Sequence, residues 1–172
     1  MIYVIRHGQT DHNKERRMQG RNGLPLNEVG IQQAEQAKHK LQHIEFDLVF
    51  SSPQERAVQT AEIATGKKAV IDDRLDVFDL GEADRYVSNE VKLANGIPDP
   101  TIYKGVEDPY HYIKRVFDFM RDLEAEYGNK RVLISGHRCT TGGIGAYFEG
   151  IPEDENILRY SSDNGDYKVY EF

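Results

Sequence analysis

Three short, uninterrupted apolar runs constrain the fold of this chain more than any other feature. They lie at residues 2–5, 48–50 and 132–134, and each precedes a segment with helical spacing. Runs without polar alternation are typical of strands that are buried on both faces of a parallel sheet. Strands that alternate with helices predict an α/β fold, with three α/β/α layers around a mostly parallel central sheet.

Three helices are predicted between and after these runs. Apolar residues at spacings of three and four between 31 and 41 predict a helix that is capped by Asn27. The segment 52–55 has the pattern of a capping box and predicts a second helix that ends at Gly66. The apolar residues between 113 and 127 predict a third, longer helix.

The remaining segments complete one domain. Asn164-Gly165 predicts a hairpin turn between a strand at 157–161 and a strand at 167–170. Residues 82–108 have scattered Gly, Pro, Asp and Tyr, and we interpret them as a short lid inserted over the functional site. No linker or repeat interrupts the sequence, so residues 1–172 are predicted to form a single domain.

Composition excludes several classes of function. Of the 172 residues, 38% are hydrophobic and 30% are charged, an ordinary balance for a soluble protein. The net charge of −7 predicts binding neither to nucleic acid nor to an anionic membrane. The single cysteine, Cys139, cannot form an internal disulfide and favours a reducing compartment. The first apolar run meets Arg6 at once and is too short for a signal segment, so we expect a cytoplasmic protein.

The ends of the three predicted strands carry residues suited to phosphoryl transfer. Arg6, His7 and Gly8 follow the first strand, Arg56 lies in the first turn of the helix after the second, and His137 follows the third. The carboxyl ends of parallel strands meet helix amino ends at one sheet edge, where anions bind. Imidazole is a competent nucleophile, and a guanidinium group can donate hydrogen bonds to two phosphoryl oxygens at once.

Each of these residues also has a structural interpretation. His7 alone could be a surface histidine, Arg56 could pair with Glu55 or Glu62, and His137 could be a buried structural histidine. Their occurrence at equivalent positions after three strands favours a shared phosphate site.

Taken in order, these segments resemble the histidine phosphatase superfamily, which is also called phosphoglycerate mutase-like. They cover the first 66 residues densely and the region around 131–143 more loosely. The matching residues are Arg6-His7-Gly8-Gln9-Thr10 with Asn13, Gln19-Gly20-Arg21, Pro25-Leu26, Gly30, Ser51-Ser52-Pro53, Arg56-Ala57, Gln59-Thr60-Ala61 and Ser135-Gly136-His137.

The resemblance implies roles for these residues. His7 would be the nucleophile and form a phosphohistidine that water hydrolyses, while Arg6, Arg56 and His137 would bind the phosphoryl oxygens. No metal and no other cofactor are implied. The candidates for further substrate binding on the loops that follow are Thr10, Asn13, Arg21 and Asn22.

One expected residue does not match. Many relatives carry a glutamate that protonates the leaving oxygen, four residues before a glycine, and alignment on Gly81 places Val77 there. Asp79 is the first substitute, because it shares the facing of Val77 in an extended segment. Glu82 is the second, followed by Asp76 and Asp84. The alternative is that this acidic cluster is only a solvated loop.

The function predicted is hydrolysis of a small phosphomonoester, without metal or other cofactor, through a phosphohistidine on His7. The short segment 82–108 favours a phosphatase over a mutase. The alternatives are a phosphohistidine protein phosphatase, a phosphoglycerate-type mutase and, in a different class, a phosphate-binding pseudoenzyme. The expected partner is a small phosphorylated metabolite, or else a phosphoprotein. Arg138 occupies a position where relatives usually have glycine.

Overall fold

The computed structural model describes all 172 residues. A five-stranded sheet runs through the centre of the molecule in the order β3-β2-β6-β1-β7, and β4 and β5 form a separate small hairpin. The strands are β1 (Ile2–Arg6), β2 (Leu48–Ser51), β3 (Val70–Ile71), β4 (Leu93–Ala94), β5 (Ile97–Pro98), β6 (Val132–Gly136) and β7 (Tyr167–Tyr170).

Five α-helices connect and cover the strands. Asn27 caps the second of them with its side chain, and the third ends at Gly66 in the left-handed conformation, so both predicted boundaries are confirmed. The helices are α1 (Asp11–Lys14), α2 (Glu28–Leu41), α3 (Glu55–Thr65), α4 (Pro109–Tyr127) and α5 (Arg138–Glu149), with 3₁₀ turns at Asp73–Leu75, Gly81–Ala83, Ser88–Glu90 and Ile157–Tyr160.

Alternate residues of the central strands face two different apolar cores. On one side, Ile2 and Val4 of β1 pack with the apolar face of α4. On the other side, Tyr3 and Ile5 of the same strand pack with residues of α2 and α3. Within the central sheet, strands β1, β2, β3 and β6 are parallel and only β7 is antiparallel. The predicted three-layer α/β/α fold is therefore confirmed.

Two local predictions are wrong. The segment at 157–161 is not a strand, because Ile157–Tyr160 forms a 3₁₀ turn that packs on α5, and β7 pairs with β1 instead. Strand β7 thus pairs with the free edge of β1 and not with residues 157–161. The segment 52–55 is not a capping box either, since Gln54 is the N-cap of α3 and makes no side-chain capping bond.

The segment 82–108 is attached to the loop that follows α1. Met18 donates to the carbonyl of Tyr86 at 2.7 Å, and Arg85 donates to the carbonyl of Met18 at 2.9 Å. Within this segment Ser88–Glu90 forms a 3₁₀ turn, and Leu93–Ala94 forms β4. That this segment acts as a lid stays a prediction. None of the helices has the length and apolar character needed to cross a membrane.

Candidate active site

The register of the parallel sheet brings His7 and His137 together. Arg6, the last residue of β1, lies opposite Gly136, the last residue of β6. The next residue of each chain segment is a histidine, and the His7 N–H donates to the Gly136 carbonyl at 2.9 Å. The imidazole ring centroids are 5.3 Å apart. Both predicted histidines therefore meet at the carboxyl edge of the sheet, where ligands of such sheets bind.

The backbone fixes the ring of His7, which is only 3% exposed. Its Nδ1 lies 2.7 Å from the carbonyl oxygen of Gly8. Because a carbonyl only accepts, Nδ1 carries the hydrogen, and Nε2 keeps a free lone pair. Burial, and after it the positive charges of Arg56 and Arg6, lower the pKa of His7 to about 3. His7 is therefore neutral near pH 7, the form of imidazole that can attack phosphorus.

His137 is the N-cap of α5 and is held by a serine that directly follows the neighbouring strand, β2. Its Nε2 lies 2.7 Å from the hydroxyl oxygen of Ser52, which also accepts the backbone N–H of Gln54 at 3.2 Å. We assign the hydroxyl hydrogen to Nε2, which leaves the ring proton on Nδ1. That Nδ1 is buried without a protein partner. Burial, followed by the charge of Arg56, holds the pKa of His137 well below its usual value.

Arg56 supplies a buried positive charge beside both histidines. Its side chain is 1% exposed. Because Arg56 lies in the first turn of α3, the free backbone N–H groups of that turn attract an anion to the same place. One guanidinium nitrogen, Nη2, donates to the carbonyl of Gly20 at 2.8 Å, whereas Nε is buried without a partner. Burial lowers the pKa of Arg56 to about 10, which leaves it cationic near pH 7.

Arg6 is the second guanidinium at this edge of the sheet. Its Nη1 donates to the carbonyl of Ser162 at 3.2 Å, and its Nε is buried without a protein partner. Burial lowers its pKa, and the neighbouring charge of Arg138 lowers it further, while Asp163 acts in the opposite direction. Arg138 itself is exposed at the start of α5. Arg6 and Arg56 therefore both keep donor capacity that the protein does not use.

The polar residues of the following loop serve the backbone first. Thr10 is the N-cap of α1 and forms a reciprocal capping box with Asn13. The Thr10 hydroxyl also donates to the side chain of Gln19 at 2.9 Å. Asn164 donates to the carbonyl of His7 at 3.0 Å and thereby ties the carboxyl-terminal segment to the histidine turn. A direct role for Thr10 and Asn13 in substrate binding stays a prediction.

The acid candidates differ in their surroundings. Val77 is buried and belongs to neither apolar core. The Asp79 carboxylate accepts from the N–H of Gly81 at 2.9 Å, and the exposed Glu82 carboxylate accepts from the N–H of Lys104 at 3.0 Å.

The Asp76 side chain contacts the N-cap residue of α3. The Asp76 carboxylate accepts from the side chain of Gln54, two residues before Arg56, at 2.9 Å. Arg21 bridges both carboxylates, with Nε 3.4 Å from Asp76 and Nη1 3.7 Å from Asp79. The structure therefore brings Arg21 together with both aspartates, but it assigns neither of them as an acid.

Three residues that support the site were not singled out for these roles from the sequence. Ser52 holds His137, and Thr60 accepts the backbone N–H of Gly8 at 3.0 Å. Asp84, which was only a late acid candidate, is buried and accepts two backbone N–H groups, one of them from Gly20. The position of Ser52, directly after β2, is the one signal that could have indicated it, since both histidines hold equivalent positions.

Sequence comparison assigns the family. A model of the histidine phosphatase superfamily (branch 1) matches residues 2–172. The chain belongs to this superfamily. Its curated relatives in the superfamily include an uncharacterized phosphatase, PhoE, from Bacillus subtilis, which is 30% identical over 79% of this chain and 70% of its own length. A probable phosphoglycerate mutase, GpmB, from Salmonella arizonae is 32% identical over 88% of this chain and 75% of its own length.

Solved structures of other proteins share the fold. A phosphoserine phosphatase from Entamoeba histolytica matches with a TM-score of 0.83 at 21% identity, over 96% of this chain and 87% of its own. An α-ribazole phosphatase from Shigella flexneri matches with a TM-score of 0.82 at 23% identity, over the same shares. The resemblance stated from the sequence motifs is confirmed, and the relatives of this chain are named as both phosphatases and mutases.

Proposed function

We propose that this protein is a metal-independent phosphatase that hydrolyses a small phosphomonoester through a phosphohistidine on His7. One observation carries the proposal: a neutral His7 with a free Nε2 lies 5.3 Å from His137, between ring centroids, at the sheet edge that also holds the guanidinium groups of Arg6 and Arg56. Arg6, Arg56 and His137 each hold a buried nitrogen with no partner in the protein. Three unpaired donors around one nucleophile suit the three non-bridging oxygens of a transferring phosphoryl group.

The reaction follows in two steps. In the first, His7 Nε2 forms a bond to phosphorus as the ester P–O bond breaks, and the leaving oxygen takes the electron pair and a proton from a carboxylic acid. In the second, water attacks phosphorus and returns a proton to that carboxylate, the P–N bond breaks, and the electron pair returns to His7 as phosphate is released. Arg6 and Arg56 offset the charge on the phosphoryl oxygens in both steps, while Nδ1–H of His137 donates to one of them. The nucleophile is an imidazole, so no metal is needed to generate it.

Two substrate classes differ in how much their leaving group depends on an acid: phosphomonoesters and phosphoramidates. Val77 stands where many relatives have an acid, and valine cannot supply a proton to an alkoxide. The Asp76 carboxylate accepts from Gln54, the N-cap of the helix that carries Arg56, and on this ground we propose it as the acid ahead of Asp79.

The same observation favours a second candidate, a phosphoramidate such as a phosphohistidine peptide. Its leaving nitrogen departs with less help from a carboxylic acid, so Val77 would not impair that reaction.

The relatives support hydrolysis of small monoesters. PhoE is named as a phosphatase, and the structural neighbours include phosphatases for phosphoserine and α-ribazole phosphate. GpmB is named as a probable mutase, so isomerisation is the reaction to compare. We further propose that residues 82–108 form the lid over the substrate, since their backbone is joined to the loop that leads to Arg21.

Phosphate release over a panel of phosphorylated metabolites, with a phosphohistidine peptide alongside, tests the proposal. The wild type should hydrolyse at least one compound, EDTA should not change the rate, and His7→Ala should abolish it. His39→Ala is the matched control, because His39 is an exposed histidine on α2. Hydrolysis that survives His7→Ala would overturn the mechanism. Phosphate binding without any turnover would instead identify a pseudoenzyme, and isomerisation without net release would identify a mutase.

A further inference from the structure

The guanidinium group of Arg56 is enclosed by a loop formed by Gly20 to Gly23. Nη2 donates to the carbonyl oxygen of Gly20 at 2.8 Å. A Cβ placed on Gly23 would overlap Nη1 of Arg56, although the backbone of Gly23 is not in the left-handed region. Gly23 is therefore needed for close approach to the guanidinium group and not for backbone conformation.

A single carboxylate holds this loop in place. Asp84 accepts the N–H of Gly20 on Oδ1 at 2.8 Å and the N–H of Asn22 on Oδ2 at 2.9 Å. It is 8% exposed and forms no ion pair with an arginine or lysine side chain. Hydrogen bonds from N–H groups to a buried carboxylate are strong, and loss of either partner is costly. A Cβ on Gly20 would lie 2.9 Å from Asp84 Oδ2, so the two segments are in direct contact.

These contacts connect Asp84 to the phosphate site through one peptide group. The N–H of Gly20 is held by Asp84, while the carbonyl of Gly20 accepts from Arg56. Because the Arg56 side chain has the carbonyl of Gly20 as its only hydrogen-bond acceptor among the observed contacts, a shift of this peptide moves the guanidinium group. The same loop carries Arg21, which contacts Asp76 and Asp79.

We propose that Asp84 is a positioning residue: through the Gly20–Gly23 loop it aims Arg56 at the phosphoryl group and Arg21 at the leaving-group side of the site. The proposal deepens the function proposed above and rests on it for the identity of the anion. Asp84 does not touch the substrate. Its effect on phosphate binding passes through Arg56.

A double-mutant cycle tests this coupling. The probe is inorganic phosphate, with its dissociation constant measured by calorimetry, so the result does not depend on turnover. Asp84→Ala should weaken phosphate binding by about tenfold, the loss expected when one charge-assisted contact is misaligned. In an Arg56→Ala background, Asp84→Ala should produce no further loss, because the group that it positions is absent. Asp47→Ala is the control, since its carboxylate accepts an N–H at the opposite end of β2.

Gly23→Ala provides a second route to the same result if Asp84→Ala does not fold. It leaves Asp84 in place and displaces Arg56 directly, so it should also weaken phosphate binding by about tenfold. The proposal would be overturned if Asp84→Ala weakened phosphate binding equally with and without Arg56. It would also be overturned if Asp84→Ala or Gly23→Ala bound phosphate with wild-type affinity. A protein that binds phosphate and turns nothing over would contradict the proposed function but would leave this coupling intact.

Discussion

The Nε2 atom of His137 lies 2.7 Å from the hydroxyl oxygen of Ser52, across two neighbouring strands that end side by side. This contact follows from the register, because Ser51 lies opposite Ser135 and each chain continues past that pair. It occupies one nitrogen of the imidazole and leaves the other free for a ligand. Ser52 thereby holds the orientation of His137, and with the Ser52 hydroxyl assigned as the donor to Nε2 the ring proton lies on Nδ1.

Replacement of Ser52 by alanine should lower kcat about tenfold to a hundredfold, because the His137 donor stays but loses its fixed direction. Ser52→Thr keeps the hydroxyl and should retain most of the activity. Thr65→Ala, which removes a hydroxyl at the end of α3 that lies away from Arg56, is the control. Steady-state kinetics on the best substrate of the panel measures the effect. A kcat for Ser52→Ala equal to that of Thr65→Ala would show that His137 needs no such support.

Acid should destabilise the protein through its buried histidines. The pKa of His7 is about 3 in the folded protein, mainly because of burial and the charge of Arg56, against an ordinary value of 6.5. Below pH 6.5 the unfolded chain binds a proton that the folded protein does not, so stability is lost as pH falls from 6.5 towards 3. The loss is about 1.4 kcal/mol per pH unit for one such group.

Urea unfolding at pH values from 7.5 to 4.5, in steps of about one pH unit, measures how the free energy of unfolding changes with pH. His7→Gln should make the pH dependence shallower by about one proton, whereas His39→Gln, at an exposed position, should keep the wild-type slope. Identical slopes for all three proteins would mean that His7 is not held neutral by its surroundings.

Two helical glycines should respond in opposite ways to alanine. A Cβ on Gly30 in α2 would overlap the carbonyl of Gln9, whereas a Cβ on Gly143 in α5 would make an ordinary contact with Val116 at 3.4 Å. Gly30→Ala should destabilise the protein by about 1–3 kcal/mol through overpacking. Gly143→Ala should stabilise it by about 0.5–1 kcal/mol, because alanine is the better helix former. Thermal denaturation compares the two, and a shared direction of change would contradict the packing described.

Restoring a carboxylic acid at position 77 should separate the two candidate substrates. A general acid contributes about 10²–10⁴-fold to a rate, so Val77→Glu should raise kcat for an alkyl phosphate by at least about tenfold. It should leave the hydrolysis of a phosphohistidine peptide unchanged. Val77→Gln has the same size without an acidic proton and is the matched control. If the Glu and Gln variants behave alike, position 77 does not reach the leaving group.

The sequence predicted the parts of the fold that depend on local pattern. Uninterrupted apolar runs identify β1 and β6, and these two strands bring His7 and His137 to one edge in any parallel arrangement. The residue types at the strand ends then suffice to predict a phosphate site. The histidine phosphatase resemblance added the roles of those residues.

Contacts between distant segments have no local signature, and there the sequence was insufficient. Asp84 meets Gly20 across 64 positions, and nothing near either residue marks the contact. The Asn164-Gly165 pattern predicted a hairpin between residues 157–161 and 167–170. Instead, β7 pairs with β1, which would otherwise be an edge strand of the sheet. The Ser52 hydroxyl has the right spacing for a helix cap, yet it contacts His137 because the register places the two together.

In the proposed mechanism His7 accepts the phosphoryl group, and a rapid acid-free quench during turnover of a labelled substrate tests this step. Peptide mapping by mass spectrometry, under alkaline conditions that preserve phosphohistidine, should locate the label on His7 and on no other residue. The label should be lost in acid, and it should not form in His7→Ala. Label on Cys139 or on a carboxylate, or turnover by His7→Ala at the wild-type rate, would show that His7 is not the nucleophile.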